Sequence, residues 1–309
     1  MSLLTPFLNY WDKSKYGWSL SDIGEEYLLV IDQNHWSSVE TSGIDRELFM
    51  DKCREYNVVA LLFKIDDADK TTGKMFYDTH AEFYYRIGTD LNILVGGYHW
   101  LQQVVDPTIA WKHYSAWIAD HPLTIPPIVD LEEPSVTSAT DILWRLKVFL
   151  GNAGSQSWIY SSMGYISTLK QMLASAGLDY RQKMSFMGVY QLWLAWYSRW
   201  LPEKSKSWPP WPWEDWSIWQ YSPNCDYPYF VDEDSFNGRN WGLESAGQDM
   251  NFIRRPYYEQ LLEVANIGDQ PQEPSQPQEP SQPQEPLSPS DLVYRSVMDI
   301  YETIKKESK

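Results

Sequence analysis

Cysteine is nearly absent from this chain of 309 residues: only Cys53 and Cys225 occur. They stand far apart and without metal-ligand spacing. That removes a thiolate zinc site and a disulfide-stapled scaffold. The two read as reduced thiols, with a single bridge between them as the alternative. Cationic residues are few as well, 25 Lys and Arg against 42 Asp and Glu, for a net charge of −17. A nucleic-acid backbone calls for a basic stripe, so that class of partner is excluded. No run of about 18 apolar residues occurs, so no membrane span is expected. The first ten residues lack a basic start and a long apolar stretch, so no signal peptide is expected. Glycine-rich phosphate loops and Cys–His nucleophile pairs are missing. The run Asp232-Glu233-Asp234-Ser235-Phe236-Asn237-Gly238 puts Phe236 where a calcium loop needs a ligand, and no bidentate Glu follows at the right distance. Neither a metal nor a cofactor is expected.

Aromatic side chains, by contrast, are abundant. Seventeen Trp and 21 Tyr bring the aromatic share to 16%. Large rings with a polar edge suit stacking on sugars or bases while partly exposed. The hydrophobic share of 43% is enough for a substantial core.

The clearest boundary lies near Ile267. From Gln270 a six-residue unit, QPQEPS, repeats three times with its last Ser replaced by Leu287. Such a segment cannot bury a core and is expected to be an extended, semi-rigid spacer. Beyond it, Ser288-Pro289-Ser290-Asp291 suits a helix start, and Val293, Val297, Ile300, Tyr301 and Ile304 fall on one helical stripe. The expected organisation is a domain over 1–267, a linker over 268–289 and a short amphipathic helix or tail over 290–309. That last helix is too short to be stable alone, so self-association or docking through it is one expectation.

Within the first domain, strand-like and helix-like segments alternate. Strands are expected at 27–31, 58–63, 93–98, 125–129, 157–160, 192–196 and 218–221. Helices are expected at 45–56, 79–90, 107–119, 137–150 and 164–176. Apolar strands alternating with helices of ten or more residues imply parallel βαβ units, and this many in about 250 residues point to a barrel. The stretch from Trp196 to Asn251 shows no clear helix, so the barrel is expected to be irregular in its last third.

Chemistry in such a barrel gathers at the C-terminal ends of the strands. Asp32, Lys64, His99, Trp100, Asp130 and Glu132 all stand at or just past an expected strand end. So do Tyr98, Tyr160, Trp196, Tyr197, Trp219 and Gln220. In Ile128-Val129-Asp130-Leu131-Glu132 an apolar run ends in two carboxylates two residues apart, which a strand turns to the same face. Two carboxylates on one face repel, and glycoside hydrolysis uses such a pair, one protonated and one ionised.

The order of motifs resembles the family 25 glycoside hydrolases, the N-acetylmuramidase lysozymes. The pieces are Asp32-Gln33-Asn34-His35-Trp36, Phe63-Lys64, Gly97-Tyr98-His99-Trp100, Asp130-Leu131-Glu132, Trp158-Ile159-Tyr160, Leu192-Trp193-Leu194-Ala195-Trp196-Tyr197, Trp219-Gln220-Tyr221-Ser222 and Gly247-Gln248-Asp249-Met250-Asn251-Phe252. The resemblance implies a modified, TIM-like β/α barrel. It implies cleavage of the β-1,4 bond between N-acetylmuramic acid and N-acetylglucosamine in peptidoglycan. The acidic cluster maps onto Asp32, Asp130, Glu132 and Asp249, with Glu132 as the general acid. Sugar-binding positions are Lys64, Tyr98, His99, Trp100, Tyr160, Trp196, Tyr197, Trp219 and Gln220. After Lys64 the family often has a small residue and then Glu-Gly, where this chain reads Ile65-Asp66-Asp67-Ala68. The family's habits further imply a phage endolysin that waits in the host cytoplasm and reaches the wall at lysis. The rivals are a glycan-binding or phage structural protein on the same barrel without turnover, and a glycosidase of another amino-sugar polymer.

Overall fold

A computed structural model describes residues 26–35, 41–197, 210–222, 238–243 and 248–265. The chain divides into two units, Met1–Gly268 and Asp269–Lys309. The expected linker and terminal helix lie outside the described residues, as do Trp36, Trp208, Cys225 and the run 232–237.

The elements follow the βα alternation closely. In order they are β1 (Tyr27–Gln33), α1 (Arg46–Glu55), β2 (Ala60–Ala68), β3 (Met75–Tyr77), α2 (Ala81–Asp90), β4 (Leu94–Trp100), α3 (Pro107–Asp120) and β5 (Ile128–Asp130). Then come α4 (Ala139–Ala153), β6 (Trp158–Ser162), α5 (Met163–Ser175), α6 (Tyr180–Met184), β7 (Gln191–Ala195), β8 (Ile218–Ser222), β9 (Asp249–Arg254) and α7 (Arg255–Ala265). Helix starts are written locally. Asp45 accepts from Leu48 N at 3.0 Å, Asp106 from Thr108 N at 2.8 Å ahead of Pro107, and Ser162 from Tyr165 N at 3.0 Å. Each satisfies an amide that the first helical turn leaves without a partner.

The strands close into a barrel. β1, β2, β4, β5, β6, β7 and β8 run parallel, and β9 closes the ring antiparallel to both β8 and β1. β3 pairs antiparallel with the far end of β2 as a short flap. The expected irregular barrel is therefore borne out. Between β7 and β9 the described residues carry β8 and, as the sole helical element, a 3₁₀ turn at Gly238–Trp241. The sequence reading named neither β3, α6 nor α7, and it had no strand at β9.

Two apolar layers sit on either side of the barrel wall. Leu28, Val30, Leu62, Leu94, Ile128, Trp158, Ile218 and Ile253 point inward. Leu29, Ile31, Leu61, Phe63, Val129, Ile159, Leu192 and Phe252 point outward onto helical residues such as Phe49, Tyr84, Tyr114 and Phe149. This is the period-two alternation of a strand, repeated around the ring. Each fully buried Leu or Ile gains about 2 kcal/mol by leaving water. Leu261 of α7 packs with the inward layer. Because β9 is reversed, α7 follows it at the N-terminal mouth and leaves the opposite mouth open for polar groups. Cys53 is a buried free thiol on α1. Trp213 is buried with its indole N–H on Tyr190 O at 3.0 Å, and Trp211 sets its edge against Tyr180. These two rings pack on the domain.

Candidate active site

The inward alternation continues to the C-terminal ends of the strands, and there it turns polar. β1 runs Leu28, Val30, Asp32. β5 runs Ile128, Asp130 and, one step past its end, Glu132. The extended pairing holds that far, since Leu131 N donates to Tyr160 O at 2.9 Å. β9 enters from the same mouth because it is reversed, so its first residue, Asp249, stands directly beside Asp32 in the register. All four acids line one small cavity together with Tyr98, Trp100, Tyr160 and Gln220.

The electrostatics of this cavity are those of crowded, dry carboxyls. Burial pushes Asp32 from 3.8 up to about 7, against hydrogen bonds from Gln220, Asn251 and Tyr98. The charge of Glu132 adds to the rise. Gln220 Nε2 donates to Asp32 Oδ2 at 2.9 Å. Glu132 rises from 4.5 to about 7, again chiefly by burial, while Tyr160 and Lys64 act against it. Asp130 and Asp249 are pushed well above the usual carboxylate range, first by burial and then by their acidic neighbours. Four such groups cannot all be ionised at neutral pH. Lys64 favours the ionised forms of Asp130 and Glu132, which makes that pair the place for a shared charge. Asp130, expected to stay ionised, is thus held up by its surroundings. Its Oδ1 is buried with no hydrogen-bond partner among the described residues, as is the indole N–H of Trp100.

Lys64 itself points inward but is spoken for. Its Nζ contacts Asp67 Oδ2 at 2.5 Å and lies 4.7 Å from the centre of the Trp100 ring. Gln220 gathers the phenols: Tyr160 and Tyr197 donate to its Oε1 at 2.7 and 3.0 Å. Tyr197 is the rim residue of the set, 37% exposed.

Three of the expected sugar-binding residues face away from the cavity, and each is a correction. His99 lies between two inward residues of β4, so its ring is on the outer side. There it stacks on Phe149 at 4.8 Å and bonds through Nδ1 to Asp66 at 2.7 Å. Trp219 precedes the inward Gln220. It is buried in the outer layer against Phe252, with its N–H on Trp196 O at 2.8 Å. Trp196 sits between the inward Ala195 and Tyr197 and lines a separate outer groove with Lys170 and Pro210. Conversely, Trp193, Asn34 and Asn251 belong to the site although the sequence reading did not select them. Trp193 lines the cavity and donates to Asn251 Oδ1 at 2.7 Å, and Asn34 donates to the Tyr98 hydroxyl at 3.5 Å. Counting in twos from Ala195, Asp249 or Asp32 would have found all three. Glu133, one residue past the acid pair, is buried on the other face, where it accepts from Gln103 N at 2.6 Å and Ser135 Oγ at 2.8 Å.

The sequence pattern of the glycosyl hydrolases family 25 matches residues 68–228. The chain belongs to this family. It is a glycoside hydrolase, a lysozyme by family. The match contains Asp130 and Glu132, while Asp32, Lys64 and Asp249 reach the site from outside it. No curated protein matches the chain. Among solved structures it is similar to the spore cortex lytic enzyme SleM of Clostridium perfringens, with a TM-score of 0.52 and 17% identity over 74% of this chain and 67% of that one. It is equally similar to a muramidase from Acremonium alcalophilum, with a TM-score of 0.52 and 17% identity over 77% of this chain and 99% of that one. At such identities the likeness is one of fold. Among the described residues no helix is long and apolar enough to cross a membrane, and no group of three His, Cys, Asp or Glu could hold a metal ion.

Proposed function

We propose that this family 25 enzyme is an N-acetylmuramidase, cutting the β-1,4 bond between N-acetylmuramic acid and N-acetylglucosamine in bacterial peptidoglycan. One observation carries the assignment of roles: four carboxyls converge at one mouth of the barrel, and Glu132 stands one strand step past the end of β5, half-buried and raised to about 7. A carboxyl of that kind still holds its proton near neutrality and reaches a leaving oxygen at the cavity mouth. Glu132 donates the proton as the glycosidic bond breaks. Asp130, beside it, is raised by burial and by its acidic neighbours but lies under the field of Lys64, and once it has given up its proton it faces the positive charge developing at the anomeric carbon. Asp32 and Asp249 hold the sugar, with Gln220 and Asn251 fixing their orientation. Tyr98, Tyr160, Trp100 and Trp193 form the ring surfaces. The unpartnered Trp100 N–H and Asp130 Oδ1 are a donor and an acceptor awaiting a polar substituent of the substrate.

The enzyme's place of action on this reading is the cell wall. The test is release of reducing ends from purified peptidoglycan by the wild type and by Glu132→Gln, with mass spectrometry of the products. New N-acetylmuramic acid reducing ends that vanish in the variant support the assignment. N-acetylglucosamine ends name the other bond. No release by the wild type means that the barrel binds glycan without turnover, and equal rates in both proteins remove Glu132 from its role.

A further inference from the structure

The register of β2 against β4 slips between Lys64 and Asp66, so β2 carries one extra residue there. In an unbroken strand, residues three apart face opposite sides. Here the bulge brings Lys64 and Asp67 together, with Nζ and Oδ2 2.5 Å apart, while Ile65 is buried in the outer core. Bulges beside active sites commonly re-aim a side chain in this way. Asp67 is in turn held on its second oxygen, which accepts from Ala68 N at 2.7 Å and from Gln102 Nε2. Gln102 is buried and bonds Ala68 O at 3.0 Å with its other N–H. On the opposite side the Lys64 ammonium lies over the Trp100 ring, a favourable cation–π placement. Among the described residues, the cation at the acid cavity is therefore fixed between a carboxylate and an indole.

We propose that Asp67 is a positioning residue for the acid cluster: by holding Lys64 at the bulge, it limits how much of the lysine's charge reaches Asp130 and Glu132, and so sets the pH window in which Glu132 keeps its proton. The inference rests on the reading of Glu132 as the acid. Asp66 is turned outward and taken up by His99 at 2.7 Å and His113 at 2.9 Å. Among the described residues, Asp130 stands beside Glu132, Asp32 and Asp249 line the same cavity, Tyr160 and Tyr197 close its rim, the Tyr165 phenol feels the Glu132 charge, and Lys64 is the cation whose field reaches it. The Lys64 charge favours ionisation of both acids, and the Asp67 charge opposes it at Asp130.

Two measurements on the full chain test this. One is the pH profile of kcat/KM on soluble peptidoglycan fragments, and the other is a carboxyl NMR titration of Glu132 without substrate. Asp67→Asn removes a negative charge and leaves Lys64 uncompensated, and both changes favour the carboxylate. The upper limb of the profile and the Glu132 titration are expected to move down by about one pH unit. Gln102→Leu loosens Asp67 and shifts both in the same direction by less. Asp67→Glu restores the wild-type profile. An unmoved limb and titration in folded D67N, with only a lower melting temperature, would make Asp67 structural and overturn the proposal. If D67N does not fold, Q102L decides by the same two readouts. A wild type that cleaves nothing sinks the reading of Glu132, whereas the substrate-free titration still reports whether Asp67 governs that carboxyl.

Discussion

Two groups of acids shielded from water behave in opposite ways in this protein. On the outer and flap side of β2, Asp66 is shared by two histidines. Asp78 accepts from His35 Nδ1 at 2.6 Å and from His80 N at 2.9 Å. Inside the mouth, Asp32, Asp130, Glu132 and Asp249 crowd one cavity, and among the described residues the lysine beside them, Lys64, is claimed by Asp67. Asp66 and Asp78 are buried, as Asp32 and Asp130 are; what differs is the partners. Where each carboxylate has its donors, the group holds loops and helices to the barrel. Where carboxyls face one another, protons are retained near neutrality, which is a poor way to stabilise a fold and a good way to cut an acetal.

The largest expected effect breaks that contrast at one residue. Glu132→Gln lowers kcat/KM by about a thousandfold or more, within the usual range for a lost general acid. Its thermal midpoint at pH 7 is unchanged or higher, because a crowded carboxyl has gone. Glu133→Gln does the reverse, since Glu133 serves Gln103 and Ser135: activity per folded molecule stays within a few-fold while stability falls by about 1–3 kcal/mol. Steady-state rates alongside denaturant melts separate the two, and equal loss of activity in both variants would contradict the assignment.

Next is Asp66→Asn. It leaves one acceptor oxygen for the two rings of His99 and His113, sets an NH2 group against the other and removes the charge, at about 3 kcal/mol in a urea or thermal melt, with the pH–rate profile of the folded fraction unmoved. The pH dependence of stability sharpens the same point. Asp32 is raised from 3.8 and Glu132 from 4.5, both to about 7. Between about pH 4 and 7 the folded protein therefore binds protons that the unfolded chain has released. Unfolding free energy falls as pH rises through that window, by about 1.4 kcal/mol per unit for each group titrating, and levels off above it. Asp32→Asn flattens the slope, and a wild-type curve rising from pH 5 to 7 would show that the cavity acids carry ordinary values. The smallest expected effect concerns two tryptophans. Trp193→Phe, inside, raises KM several-fold. Trp219→Phe, outside, costs about 1 kcal/mol through its lost bond to Trp196 O and leaves KM alone.

Much of this was legible in the residues. Seven strands and five helices stand where apolar periodicity and caps such as Asp45 and Asp106 put them, and the spacing of Asp130 and Glu132 announced a shared face. The errors at His99, Trp196 and Trp219 have one cause. Each adjoins a residue that does face the cavity, and strand ends were read as a whole instead of being split by the two-residue period. Position after a strand marks the rim; parity decides which side of the wall a ring occupies.

The chain by itself determined the alternation of strand and helix, the family and the four acidic positions, because those depend on local pattern and on residue type. It could not decide that Asp249 meets Asp32, since that needs β9 to run backwards and close the ring. Nor could it decide that Lys64 turns to Asp67, since that needs an extra residue in one strand against its neighbour. Both are matters of register between distant segments, and only the closed barrel fixes them.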